Sequence, residues 1–179
     1  VTVTDTAYTV AELKAIAGGT DGAITLNNTG VALSGDATDL ATIFGENITT
    51  HTGTVTVTDG DYTVTELVAI AGGTTGQITL NDNTVGLSGT VTDLNTIFNE
   101  NIAAAHEGTV TITNAVAYDI DKLKTINAGT TEAITLNDTT IALSGDATDL
   151  ALALAGTINH AGAITVTDTA YTVAELKAI

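Results

Sequence analysis

The stretch VTVTDTAYTVAELKAI, Val1–Ile16, decides the fold, because the chain keeps returning to it. Ile164–Ile179 reads ITVTDTAYTVAELKAI and differs only in its first residue. Val55–Ile70 (VTVTDGDYTVTELVAI) and Val110–Ile126 (VTITNAVAYDIDKLKTI) are looser copies. Self-similarity at a fixed period marks a stacked-repeat architecture, in which each unit buries its apolar face against its neighbours. The repeats occupy 1–54, 55–109 and 110–163, with 164–179 opening a fourth. Terminal repeats of an array are ordinarily atypical caps, so two nearly identical ends predict a segment of a longer array.

A finer period lies inside each repeat. Thr9-Val-Ala-Glu12-Leu13 in the first half and Asp36-Ala-Thr-Asp39-Leu40 in the second both have the capping-box form. The Leu anchors recur at Leu13, Leu40, Leu67, Leu94, Leu123, Leu150 and Leu176, predicting seven short helices. Ile16 and Ile43 follow on the same helical face as their Leu. Gly18-Gly19, Gly72-Gly73 and Gly129 stand where the helices should stop, as left-handed closing residues would. Ahead of each helix, apolar residues alternate with Thr in two stretches separated by turn residues. Ile24–Leu26 and Val31–Leu33 form one such pair, Val1–Val3 and Tyr8–Val10 another.

The expected unit is therefore strand–turn–strand–helix, about 27 residues long. Two strands at roughly 4.8 Å spacing match the ~10 Å width of one helix. That match predicts an α/β tandem repeat, an elongated rod with helices on one face of a continuous sheet. A coiled α/β solenoid with one strand and one helix per turn is the alternative.

Composition limits function. Four Lys and no Arg face 21 Asp and Glu, a formal charge of −17. Such a field repels phosphate backbones and anionic lipid, so no nucleic-acid partner is expected. Cys is absent, which removes disulfides, thiol nucleophiles and Cys-type zinc sites. No apolar run approaches the ~18–20 residues of a membrane-spanning helix, so no membrane insertion of this segment is expected.

Ile134-Thr-Leu-Asn-Asp-Thr-Thr-Ile-Ala-Leu143, followed by Ser-Gly-Asp-Ala-Thr-Asp-Leu150, resembles the "hook IN" motif of flagellar hook-associated proteins. Over its whole length the chain resembles the Thr-rich tandem repeats of giant bacterial cell-surface and adhesin proteins. Both resemblances imply an extracellular structural role, and neither carries catalytic residues to this chain.

Several residues recur with the period and invite chemistry. His51, His106 and His160 each precede a Gly by two positions and read as loop positions rather than metal ligands. Tyr8, Tyr62, Tyr118 and Tyr171 share one position and read as packing anchors. Glu12, Asp39, Glu66, Asp93, Asp121, Asp149 and Glu175 are the expected acidic partners of the capping boxes. Asp59-Gly-Asp61 and Asn81-Asp82-Asn83 hold some parts of a calcium loop, making Asp59, Asp61 and Asp82 the candidate calcium ligands. No catalytic or cofactor-binding set stands out, so no enzyme is expected, and calcium is the one cofactor considered.

The expected function is a structural repeat segment of an extracellular or cell-surface fibre, stalk or adhesin. Its partners would be neighbouring repeats or identical subunits joined head to tail. A surface-binding module is the alternative, acting in calcium-dependent adhesion or binding ice or glycan through rows such as Thr54/Thr56/Thr58.

Overall fold

A computed structural model describes residues 1–45, 48, 50–99, 102–114, 117–156 and 158–179. It is an α/β structure of short parallel strands and, among the described residues, seven helices. The chain divides into two compact units, Val1–Val85 with Glu100–Ala104, and Gly86–Asn99 with Ala105–Ile179.

The first unit runs β1 (Thr2–Val3), α1 (Val10–Ala17), β2 (Thr25–Leu26), β3 (Leu33–Gly35), α2 (Ala37–Gly45), β4 (Val55–Val57), α3 (Val64–Gly73) and β5 (Ile78–Leu80). β1 pairs with β2, and β3, β4 and β5 form one sheet in that order. The second unit runs β6 (Leu87–Gly89), α4 (Val91–Asn99), β7 (Val110–Ile112), α5 (Ile120–Gly129), β8 (Ile134–Leu136), β9 (Leu143–Gly145), α6 (Ala147–Ala153), β10 (Ile164–Val166) and α7 (Val173–Ala178). Its sheets are β6–β7–β8 and β9–β10.

Every named strand pair is parallel. This corrects the expected hairpins. β2 and β3 are consecutive, yet β2 pairs back to β1 while β3 pairs forward to β4. The intervening turn hands the chain from one neighbour to the next instead of folding it back. A parallel partner needs a crossover, and the helix supplies it. Among the described residues of the first half-repeats the expected second strand is also absent. Tyr8 and Thr9 are not paired, and Val10 is the first residue of α1.

Burial follows the period. Leu13, Leu40, Leu67, Leu94, Leu123 and Leu150 are all buried, together with Ile43, Ile70, Ile97 and Ile126. Within the first unit α1 packs on α2 and α2 on α3; within the second, α4, α5, α6 and α7 pack in sequence. The central strand residues face outward as in-register hydroxyls: Ser34, Thr56 and Thr79 in one sheet, Ser88, Thr111 and Thr135 in another.

The capping boxes form at Thr9/Glu12, Thr63/Glu66 and Thr172/Glu175, where the Thr hydroxyl and Glu carboxylate each take an amide of the other residue. Thr90 takes the Asp93 amide at 3.1 Å, and Asp36 takes the Asp39 amide at 2.8 Å. Two expected boxes differ. Asp119 caps α5 through the Asp121 and Lys122 amides, which puts Asp121 one residue too early to reach back. Asp121 instead pairs with Lys124, which also holds Asp149 at 2.7 Å. Asp146 makes no side-chain cap on α6 and accepts from the Thr167 hydroxyl.

The helix-closing glycines also have another reason. Gly18 has φ −65°, and among the described glycines only Gly156, at +81°, is left-handed. Gly73 and Gly129 lie under the rings of Phe44 and Phe98, where a Cβ would overlap the aromatic carbons. Glycine is required there by the approach of a neighbouring helix rather than by backbone handedness.

Candidate functional site

The calcium candidates are placed by the strands that precede them. Asp59 follows β4, and its Oδ1 accepts the amide of Ala37, the first residue of α2, at 2.8 Å. Asn114 does the same for Val91 and Asp168 for Ala147, at 2.8 and 2.9 Å. Each helix start is thus completed by a residue 21 to 23 positions further along the chain. An orphan amide at a helix N-terminus needs an acceptor, and Asn serves as well as Asp. The interchange of Asp59 with Asn114 fits capping and not a site that needs charge. The signal in the sequence was the Asp or Asn closing each Val-Thr-Val-Thr-Asp strand.

Asp82 forms a local turn. Its Oδ1 accepts the Thr84 amide at 3.0 Å and hydroxyl at 2.6 Å, and Asp138 holds Thr140 in the same way. The equivalent Asn28 accepts from Gly30. Asp82 also lies beside Gly60, so the structure brings the Asp59–Asp61 and Asp82 segments together while Asp61 stays exposed. Among the described residues no group of three or more His, Asp or Glu is arranged to hold a metal ion. Asp59→Ala should lower stability by about 1 kcal/mol, as for other lost caps, while Asp59→Asn should be nearly neutral. A melting series in calcium separates the roles, since a calcium ligand would make Asp59→Asn erase a calcium-dependent rise.

Three of the four tyrosines bridge half-repeats, while Tyr171 is 52% exposed and is not buried as a packing anchor. Tyr8 donates to the Asn28 carbonyl at 2.5 Å, Tyr62 to Asp82 at 2.5 Å and Tyr118 to Asp138 at 3.1 Å. All three rings are buried, as packing anchors should be. Burial, with the charges of Asp82 and Asp59 adding to it, pushes Tyr62 up to about 12, so it remains a donor.

Two of the three histidines, His51 and His106, belong to the core, and His160 is half-buried. His51 is fully buried, with Nε2 2.8 Å from the Val31 carbonyl, Nδ1 2.9 Å from Thr74 Oγ1 and its ring edge-on to Phe44. A carbonyl only accepts, so Nε2 carries the proton and the neutral ring takes the Thr74 hydroxyl on Nδ1. His160 repeats the first bond, to the Ile141 carbonyl at 2.7 Å, and His106 is buried edge-on to Phe98. The Gly two residues on has the same origin: Gly53 lies against the Val31 carbonyl and Gly162 against those of Thr140 and Ile141, with no room for a Cβ.

Burial lowers the His51 pKa, against the opposing pull of its bond to Val31. The unfolded chain therefore binds the proton more readily than the folded one. Stability is full above the ordinary value of 6.5 and falls as pH drops below it. Urea midpoints at pH 7.5 and 5.5 should show this loss, and His51→Gln should reduce it. An equal loss in both proteins would assign the effect elsewhere.

One cleft, about 420 Å³, is lined by Tyr118, Asp119, Asp121, Asp146 and Asp149. Its carboxylates are engaged: Asp119 on α5, Asp121 and Asp149 on Lys124, and Asp146 on Thr167. Comparison with protein-family models, curated proteins and solved structures gives no match.

Proposed function

We propose that the chain is a non-catalytic structural repeat segment of an extracellular or cell-surface fibre, stalk or adhesin. One observation carries this reading: the periodic side chains that could have formed a site are spent on joining half-repeats. His51 binds the Val31 carbonyl, Tyr8, Tyr62 and Tyr118 bind the following turn, and Asp59 and Asp168 cap the preceding helix. The architecture we favour is the coiled α/β array rather than the hairpin rod, since parallel pairing through helical crossovers repeats along the sequence. The acidic, Thr-rich surface and the resemblance to giant surface-protein repeats favour the extracellular setting.

An antibody against the chain should label intact, unpermeabilised cells of its source. Labelling only after permeabilisation would overturn the location. The outward Ser and Thr rows are one hydroxyl wide at each strand centre, which gives the surface-binding alternative less support than the structural reading.

A further inference from the structure

We propose that the chain is a reversible extension element: under tension it lengthens by releasing one half-repeat at a time, and it rewinds when the load falls. The proposal deepens the structural reading above and rests on it. Its basis is the reach of the contacts. In the first unit Thr25 N bonds Val1 O, Thr58 N bonds Gly35 O and Asn81 N bonds Val57 O. In the second, Thr113 N bonds Gly89 O and Asn137 N bonds Ile112 O. These partners all lie 23 to 25 positions apart. Side-chain ties reach equally far: 20 residues from Tyr62 to Asp82, 22 from Asp59 to Ala37 and 25 from Lys124 to Asp149. The helices follow suit, each packing on the next in sequence within its unit. Half-repeats are thus fastened to their immediate neighbours.

The direction of the ladders decides how such a stack meets a load. In β3–β4–β5 and in β6–β7–β8 the spatial order is the chain order. The chain therefore advances from strand to strand in the hydrogen-bonding direction, across the strands. Tension between the two ends of such a sheet pulls along those bonds and opens one boundary after another. Each of these boundaries is three residue pairs long, so few bonds hold it once the first has parted. A released half-repeat of about 27 residues adds roughly 90 Å of extended chain. Recovery is equally local. The freed stretch rewinds on a folded neighbour by closing a loop of about 25 residues, and structure of such low contact order forms fast. Pro and Cys are both absent from the sequence. No prolyl isomerisation delays the rewinding, and no disulfide limits the extension. Both absences suit repeated cycles of stretching.

Optical tweezers on the full 179-residue chain test this, with handles joined to Thr6→Cys and Asn81→Cys. Both positions are exposed, and the sequence has no other Cys. The stretch between the handles should open in at least two separate events, each of about 90 Å or less. It should close again within about a second of relaxation, cycle after cycle. A single event of about 260 Å, or a chain that does not close, would overturn the proposal. A second pair, Thr54→Cys with Asn81→Cys, grips β4 at its start and β5 at its end. It slides these parallel strands lengthwise, so that their bonds share the load. Opening should then need about twice the force or more, and equal forces would also overturn the proposal. If intact cells are labelled and the chain still opens all at once, the surface reading stands and the extension alone falls.

Discussion

Gly76→Ala should destabilise the chain by about 3 kcal/mol or more, toward the upper end of overpacking effects. A Cβ at Gly76 would overlap the Gly53 carbonyl, and Gly53 itself lies on the carbonyl of Val31. These atoms are backbone, held by bonds such as Thr52 N to Thr29 O at 2.8 Å and Thr75 N to His51 O at 2.9 Å. No side chain can turn aside to make room, so relief requires opening that ladder. Gly72→Ala is the internal control. Gly72 lies within α3 with nothing near its missing Cβ, and Ala there should be neutral or stabilising by up to ~1 kcal/mol. Denaturant midpoints for the two single variants give the comparison. Equal midpoints would mean that the close backbone stacking is wrong.

Leu67→Ala should cost roughly 2–5 kcal/mol, the usual range for deleting a buried leucine. Leu67 is the central anchor of α3, which packs against α2. Leu40 and Ile43 of α2 and Ile70 of α3 are buried in the same helix pair, and how far these helices can close on the gap sets the cost within that range. Thr56→Ala, on the outward face of β4, should move the midpoint by only a few tenths of a kcal/mol. A loss at Leu67 no larger than at Thr56 would contradict the core assignment.

The helices were legible because their signals are local. Thr9 and Glu12 are three residues apart, and Leu13 follows at once, so a capping box can be read without knowing any neighbour. Strand partners were not legible. Alternation at Ile24–Leu26 tells which side chains face inward but not whether the next strand pairs beside it or with an earlier one. Tyr8-Thr-Val10 alternates equally well, yet Thr9 is needed as the α1 cap and Val10 as its first turn. Asp59 shows the same boundary between local and distant information. Beside Gly60 and Asp61 it looks like part of a cation loop, while its actual partner is an amide 22 residues earlier. Only comparison with Asn114 and Asp168 reveals that an uncharged acceptor suffices.

The caps that arrive from downstream also set an order for synthesis. α2 is not complete until Asp59 has emerged, nor α4 until Asn114, nor α6 until Asp168. Each second half-repeat leaving the ribosome would therefore wait for roughly one more before its first helical turn is secured, whereas α1, α3, α5 and α7 carry their caps with them. Chains fold from the N-terminus as they are made, and here the lag is short and constant because partners lie so near in sequence. A growing chain would keep only its newest stretch unfinished, however many repeats had gone before.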